Sequence, residues 1–458
     1  MHSKNSVSSK QYAVCSIWLK IINCLLPTPY CLLLTFFCLL PTAFCLLSSN
    51  AFAGELKLQE LIDEAIKNNH EILMSESRSS AFRFRIPQAK SLPDPMLMFG
   101  YQNEGTKDLY TFGDEMAADS QWMFSASQMF PFPGKLSLKG KMAQRDSEVQ
   151  KAFSDSMRLK IVARVKELYY DLFFAYKNID LIKEKSALFS RIEDASIARY
   201  STGMAPQQEV IMTQTERYML LETEEMLKQK IQSVEAALNA IISRDINAEI
   251  GSPAEPSRTE YGYGMNELIK ISYENSPEIM AKKKMVAGAK TKVQMAKREF
   301  YPDFTVNGSY FLKNSELPDM WSLTTTINIP LFYRTKQRLA VNEAEASFEE
   351  ARHELEAVEV MLSSDIRDNY SMIRTAEKLM DLYKNGLIPK TYQNFESALS
   401  GYTTGKVEAL TVITRLKSLI DFEVLYWKQF ADREKAVARL EAITGLHARG
   451  FPSPEAKP

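Results

Sequence analysis

The sequence predicts a mainly α-helical chain in which long coiled-coil helices adjoin four β-strands, the contribution of one chain to an oligomeric transmembrane β-barrel. Three observations support this fold class. Heptad repeats run through very long segments without a helix breaker, segments of about ten residues alternate apolar and polar side chains, and one order of elements occurs twice. The chain is therefore predicted to be internally duplicated.

The duplication is visible in matching segments. Three pairs match, in chain order: LQELIDEAIKNNHEI (58–72) with MNELIKISYENSPEI (265–279), PDPMLMFGY (93–101) with PDFTVNGSY (302–310), and MFPFPGK (129–135) with NIPLFYRTK (328–336). A Tyr-x-Thr-Gly sequence follows in both halves, at 200–203 and 402–405. Each half therefore predicts the order short helix, helix, strand, strand, long helix, glycine turn, long helix.

Changes in composition along the chain predict where its segments begin and end. The predicted divisions are a signal peptide (1–53), a first repeat (54–245), a linker rich in Gly, Pro and Ser (246–264), a second repeat (265–445) and a C-terminal tail (446–458). The first segment has a basic start, an apolar run and small residues at Ala51 and Ala53, as a cleavable secretory signal requires. A membrane anchor is the alternative, but three prolines interrupt the apolar run.

All five cysteines lie in residues 1–53, which excludes thiol catalysis, zinc-thiolate sites and disulfides from the rest of the chain. Beyond residue 53 the net charge is only slightly negative, with 53 basic and 57 acidic residues, which excludes a polycation that binds nucleic acid. No phosphate-binding loop or nucleophile elbow occurs. The sequence therefore favours a transport or structural role without a cofactor over an enzyme.

The long helices carry apolar residues in steps of four and three. These residues are Ile161, Val165, Leu168, Leu172, Ala175, Ile179 and Ile182 in the first half, and Val341, Ala344, Phe348, Ala351, Leu355, Val358 and Leu362 in the second. Nothing breaks the helix over 133–200 or 331–402, and at 1.5 Å per residue each would span about 100 Å. Such helices must lie along partners, and Gly203 and Gly405 are predicted to reverse the chain at two hairpin tips.

The predicted strands resemble those that cross an outer membrane. In 303–312, 321–329 and 121–130, one face is apolar and the other carries small polar residues. Four strands are too few to close a barrel, so several copies are expected to share one. The loops at 104–120 and 313–320 are expected to face outward.

On these segments the chain resembles the outer-membrane efflux channel family, the TolC-like proteins, from about Leu56 to Gly445. SLPDPMLMFGY and SQMFPFPGKLSL are most similar to its heavy-metal-efflux branch. The resemblance implies a homotrimer in outer-membrane lipid, with a twelve-stranded barrel and a twelve-helix periplasmic tunnel. It also implies docking onto a periplasmic adaptor protein and an inner-membrane pump. The chain would then be a passive conduit whose cargo the pump selects.

The resemblance also implies site residues around the two turns. The gate positions of the family fall on Glu209, Tyr402 and Lys406, although Lys406 lies one residue nearer its glycine than the usual Arg. Thr411 and Thr414 occupy the positions of two aspartates in the best-known representative, which puts a cation-binding entrance in doubt. If these residues do not form the constriction, Glu408 or Gln208 is the alternative.

The hairpin tips themselves are expected to dock the adaptor. Their residues are Tyr200, Gly203, Tyr402 and Gly405, with small neighbours that allow close contact.

Several alternatives remain open. Met212, Met219 and Met226 follow heptad spacing and could suggest a soft-metal ladder, but methionine at such positions is more often a packing residue. A secreted or surface coiled-coil scaffold or adhesin would explain the heptads alone. A periplasmic enzyme with an unrecognised carboxylate site is disfavoured, because the acidic residues are spread along helix faces.

Overall fold

A computed structural model describes residues 55–103, 120–313 and 317–446. The predicted signal peptide, most of the loop at 104–120, part of the loop at 313–320 and nearly all of the tail lie outside these residues. The first half contains α1 (Leu58–Asn68), α2 (His70–Lys90), β1 (Met96–Gln102), β2 (Gln121–Phe130), α3 (Lys135–Ser201) and α4 (Gln207–Ile242). The second half contains α5 (Met265–Asn275), α6 (Pro277–Arg298), β3 (Asp303–Leu312), β4 (Met320–Asn328), α7 (Gln337–Leu382), α8 (Ile388–Thr403) and α9 (Ala409–Thr444).

Helix α3 has 67 residues and is therefore about 100 Å long. It packs against α2 and α6 near its N-terminus and against α4 and α9 further along. The heptad residues from Ile161 to Ile182 are all buried, as the sequence predicts. The helix is stabilised by this continuous apolar stripe, since no single contact could hold an element of that length.

The second long helix is not continuous, so the prediction of one helix over 331–402 was wrong. It begins only at Gln337, and a π-helical turn at Tyr383–Leu387 separates α7 from α8. Pro389 explains the interruption, because it has no backbone N–H to donate and its ring would clash with the carbonyl four residues earlier. The wider π turn absorbs that mismatch and lets the helix continue.

The four strands form one antiparallel sheet in the order β1-β2-β3-β4. One face carries large apolar side chains such as Phe99, Phe124 and Trp321, and the opposite face carries Ser125, Ser309 and other polar residues. The outer edges of β1 and β4 have no strand partner within the described part of the chain. Both edges therefore present free backbone N–H and C=O groups.

Lys135 joins the sheet to the helices. Its side chain is 3% exposed, and its Nζ lies 2.9 Å from an Asp303 carboxylate oxygen and 3.1 Å from Glu299 Oε2. It also donates to the carbonyl oxygen of Tyr301 at 3.1 Å. A buried ammonium needs such partners, and these three fix the start of α3 on the start of β3.

Residues 246–264 contain no helix or strand of their own and lie against the helical bundle. Leu56 pairs with this segment, donating to Ser252 O at 3.0 Å and accepting from the N–H of Ala254 at 3.1 Å. Further along this segment, Thr259 O accepts a hydrogen bond at 2.9 Å from Arg433 of α9. The Arg433 side chain is 1% exposed, and its guanidinium also pairs with Glu377 at 3.1 Å. The segment between the halves is thus fixed to buried groups at two points.

Among the described residues, no helix combines the length and the apolar character needed to cross a membrane.

Gly445 allows a test of the packing at the end of α9. It adopts φ +70°, and a Cβ at this position would lie 2.6 Å from the carbonyl oxygen of Asn275. We expect Gly445→Ala to destabilise the fold by about 1–3 kcal/mol, because the left-handed backbone and the clash both oppose a side chain. Thermal unfolding followed by circular dichroism measures the effect.

Gly262→Ala is the matched control, because nothing lies within 4 Å of a Cβ there and its φ is not in the left-handed region. Equal midpoints for both variants would contradict the account of Gly445.

Candidate functional site at the glycine turns

The two Tyr-x-Thr-Gly turns have the same backbone geometry. Gly203 and Gly405 have φ of +74° and +75°, the left-handed conformation predicted for them. In the first turn Met204 N–H donates to Arg199 O at 2.8 Å, and in the second Lys406 N–H donates to Gly401 O at 2.9 Å. These bonds back to the last turn of the helix are those of a glycine C-cap, so each glycine ends one helix and lets the chain reverse.

The side chain of Tyr402 lies at the centre of a polar cluster between the two turns. It is fully buried, and its hydroxyl is 2.9 Å from Glu209 Oε2 and 2.9 Å from Ser196 Oγ. The Ser196 hydroxyl donates to Ile192 O at 2.8 Å. Burial raises the pKa of Tyr402 and the Glu209 carboxylate raises it further, so the phenol keeps its proton and donates to the carboxylate.

Arg199 covers this tyrosine from the other side. Its guanidinium carbon lies 4.4 Å from the centre of the Tyr402 ring, and Nη1 donates to Tyr402 O at 2.7 Å. Nη2 donates to Met204 O at 3.3 Å, so one side chain bonds to the backbone of both turns. We call Ser196, Arg199, Glu209 and Tyr402 the turn cluster. It connects the tip of the first helical hairpin to the tip of the second.

The two turns differ in what they bury. Tyr200 occupies the first-half position of Tyr402, yet it is 47% exposed. Arg199 occupies the position of Gly401, where a Cβ would lie 2.6 Å from a methyl group of Val407. The duplicated sequence therefore produces one outward and one inward tyrosine.

The structure brings only two of the proposed gate residues together, namely Glu209 and Tyr402. Lys406 is exposed, and within the described part of the chain no ion pair joins it to Glu209. Thr411 and Thr414 are exposed on α9, where the Thr414 hydroxyl donates to Leu410 O at 2.7 Å. The alternatives Glu408 and Gln208 are exposed as well.

Three of the four proposed docking residues are accessible. Tyr200, Gly203 and Gly405 are exposed, and nothing lies within 4 Å of a Cβ built on either glycine. Tyr402 is buried in the turn cluster, so its side chain offers no surface to a partner in this conformation.

Sequence reasoning missed Arg199 and Ser196, and it missed the ion pairs beside them. Glu193 pairs with Arg217 at 2.9 Å, and Glu216 pairs with Lys417 at 2.9 Å. The one available signal was the alignment of the two halves, in which Arg199, with its long cationic side chain, is aligned with Gly401. That difference marks a place where the two turns cannot pack alike.

The three heptad methionines do not share one environment. Met212 packs partly buried against the apolar cluster beside the turns, whereas Met219 and Met226 are 47% and 59% exposed. Packing therefore accounts for Met212 alone within a single chain. No group of three or more His, Cys, Asp or Glu side chains that could hold a metal occurs among the described residues.

The chain is similar in sequence to known proteins. The sequence model for the outer membrane efflux protein family matches residues 268–446, which is nearly the whole second repeat. The cobalt-zinc-cadmium resistance protein CzcC of Cupriavidus metallidurans is 22% identical over 403 residues, covering 86% of this chain and 91% of that protein.

Solved channel structures share the fold over both halves. The structure of CusC superposes with a TM-score of 0.74 at 15% identity and covers 84% of this chain and 91% of that one. The outer membrane protein VceC of Vibrio cholerae superposes with a TM-score of 0.72 at 19% identity, covering 85% and 96%. The chain is therefore similar in sequence to the outer membrane efflux protein family over its second half, and both of its halves share the helix-and-sheet fold of these solved structures.

Proposed function

We propose that this protein is the outer-membrane channel of a tripartite efflux or type I secretion system, a passive conduit from the periplasm to the exterior. Three copies would close one barrel in outer-membrane lipid and extend a helical tunnel into the periplasm. There the tunnel would meet a periplasmic adaptor protein coupled to an inner-membrane pump. Its cargo would be metal ions, drugs or other small toxic compounds, and the chain itself would catalyse no reaction.

The observation that carries this proposal is the four-stranded sheet with two free edges, continuous with helices about 100 Å long. The apolar face of the sheet suits lipid and the polar face suits a water-filled interior. A sheet with open edges is not stable in lipid, because its unpaired backbone groups would have no partner. Further copies of the same chain supply the missing edges. A scaffold or adhesin would need no such sheet.

The internal repeat defines how the edges should pair. In the aligned halves Gln128 corresponds to Ile327, and Val306 corresponds to Leu97. Gln128 and Val306 face each other across β2 and β3. If the junction between β4 of one copy and β1 of the next repeats that between β2 and β3, Ile327 will face Leu97 of the neighbour. Both side chains then lie on the apolar face, as the lipid environment requires.

The ion pair at the junction between the sheet and the helices supports the same pairing of neighbouring copies. Lys135 and Asp303 form a buried ion pair at 2.9 Å. Their counterparts in the aligned halves are Lys336 and Asp94, and both are exposed in the single chain. We expect Lys336 of one copy to pair with Asp94 of the next, which would give each a partner of opposite charge.

The turn cluster is suited to hold the periplasmic end closed. The Tyr402 hydroxyl and the Glu209 carboxylate link the two hairpins by a charge-assisted hydrogen bond, which contributes about 1.5–3 kcal/mol when it is shielded from water. Lys406, Thr411 and Thr414 are exposed beside it and would face neighbouring copies. The three copies of the bond would have to break together for the hairpin tips to separate. The adaptor and pump would supply that free energy.

The proposed strand register can be tested by disulfide cross-linking in cells. We expect Leu97→Cys with Ile327→Cys to give covalent dimers and trimers on oxidation, because residues 54–458 contain no other cysteine. Non-reducing electrophoresis of outer-membrane extracts measures the products.

Two controls fix the interpretation of the cross-link. Gln128→Cys with Val306→Cys should close a bond within one chain, because these residues are paired in the structure. Leu97→Cys with Thr325→Cys is shifted by two residues and should cross-link poorly. Stronger cross-linking by the shifted pair would refute the register, and exclusively monomeric chains in every variant would refute the oligomeric barrel.

The gate role can be tested by electrical recording. We expect Tyr402→Phe with Glu209→Ala to raise single-channel conductance in planar bilayers and to increase antibiotic leakage into cells, because the bond between the hairpins is lost. Tyr200→Phe is the matched control, since that tyrosine is exposed and takes no part in the cluster.

Polyvalent cations should block the wild type only weakly, because Thr411 and Thr414 carry no charge. Unchanged conductance in the double variant would mean that other residues form the constriction, and Glu408 and Gln208 would be the first to test.

Docking at the tips can be tested separately from folding. Thr403 is exposed and lies outside the left-handed position, so Thr403→Trp adds bulk to the tip without straining the backbone. We expect it to lower efflux-dependent resistance while leaving the amount of trimer in the membrane unchanged. Gly405→Val adds strain at φ +75° as well as bulk. If Thr403→Trp has no effect and Gly405→Val lowers resistance and trimer together, the glycine serves folding and the tip is not the docking surface.

A further inference from the structure

The methionines of the sheet are distributed unevenly between its two faces. The strands contain five: Met96, Met98, Met123, Met129 and Met320. Strand alternation and the observed register place all five on the polar face, together with Ser, Thr, Asn and Gln residues and one aromatic residue, Phe311. The apolar face of the same four strands contains none. Phe311 lies between Met123 and Met320 and gives them an apolar neighbour, but Met96 and Met98 lie opposite Ser127 and Ser125, so packing does not explain why these two are on this face.

Three of these methionines are neighbours. Gly100 pairs with Met123 and Ser125 pairs with Met98, so Met98 and Met123 are diagonal neighbours on one face. Because Gly100 has no side chain, Met123 extends over it, and a Cβ on Gly100 would lie 3.5 Å from Met123 Cε. The thioether of Met123 therefore leans towards β1, where Met98 lies. Met96 is two residues away on the same strand and the same face.

These side chains are accessible. Met96 is 65% exposed and Met98 is 53% exposed in the single chain, and Met123 is half-buried with its side chain over Gly100. A solute that passes along the polar face would therefore meet two or three thioethers within reach of one another.

Thioether sulfur is a neutral and soft ligand, which selects soft monovalent ions over harder divalent ones. Residues 54–458 contain no thiol, and the described residues contain no group of three or more His, Cys, Asp or Glu. Zinc or cobalt ions would favour such thiol, imidazole or carboxylate ligands. The donors on this face favour Cu⁺ and Ag⁺ instead.

We propose that Met96, Met98 and Met123 form a contact site for Cu⁺ or Ag⁺ on the polar face of the sheet. The inference rests on the proposed function, in which that face lines the channel, and it assigns the channel a class of cargo. Three copies of the chain would place three such sites at one level of the barrel. Neutral ligands on an open surface release an ion readily, which conduction requires.

The test uses Ag⁺ as the probe in chloride-free buffer, with protein purified from outer membranes. Titration calorimetry measures binding by the wild type, by Met98→Leu with Met123→Leu, and by Met219→Leu with Met226→Leu. Leucine keeps the volume of methionine but removes the sulfur. The last pair is the matched control, because both methionines are exposed on a helix remote from the sheet. We expect about tenfold weaker binding in the sheet variant and little change in the control.

A second measurement locates the ion. Ag⁺ should protect Met98 and Met123 from oxidation by hydrogen peroxide, as mass spectrometry of peptides records, while Met219 and Met226 should oxidise at the same rate with and without it. Equal Ag⁺ affinity in both variants, or no protection of Met98 and Met123, would overturn the site.

Bilayer conductance of the same preparations separates this inference from the proposed function. A protein that conducts normally but does not bind Ag⁺ through the sheet overturns the metal site and leaves the channel intact. A protein that binds Ag⁺ through Met98 and Met123 but never conducts supports the site and overturns the channel.

Discussion

The architecture depends on burying the apolar stripe of α3, whose buried residues run from Val149 to Ile192. A helix of 67 residues exceeds the size of any ordinary core, so it is stable only where other helices accompany it from end to end. Two helices, α2 and α6, cover its first part, and α4 and α9 cover the rest. These four helices accompany α3, so the chain must reverse between them. The glycine turns at one end and the sheet at the other are the two ways in which it does so.

The sheet imposes a second constraint, which acts between copies. Within the described part of the chain, its two inner strands pair on both sides and its two outer strands pair on one side only. Lys135 shows how sheet and helix are joined where the pairing is complete, because it is buried and pairs with Asp303 and Glu299. The corresponding residues at the free edges are exposed. In the proposed trimer, the internal junction thus provides a pattern for the external one.

Much of the fold could be predicted from the sequence because its elements are long and periodic. The segments 121–130 and 303–312 coincide with β2 and β3, and the heptads from Ile161 to Ile182 are buried in α3. The π turn was not predicted, because the heptads used for the second half end at Leu362. The buried residues do shift across it: they step by three and four up to Met380 and resume at Phe395, one residue later than two heptads would place them.

The candidate site was less predictable. Glu209 and Tyr402 came from positions relative to the glycines, and the structure places them in contact. Arg199 and Ser196 belong to the other half of the chain from Tyr402, and contacts between halves depend on how the two hairpins pack. No local pattern encodes that packing. Lys406, the third residue at a gate position, is exposed in the single chain.

The divergence of the two turns limits how the duplicated chain can evolve. Tyr402 comes from the second half and its partners Ser196, Arg199 and Glu209 come from the first, so neither half contains a complete turn cluster. Six copies of a single ancestral repeat could build a ring with sixfold symmetry, but they could not build this contact. Once Gly401 and Arg199 had diverged, the two halves ceased to be interchangeable. The six hairpins of the proposed trimer would then form two alternating classes.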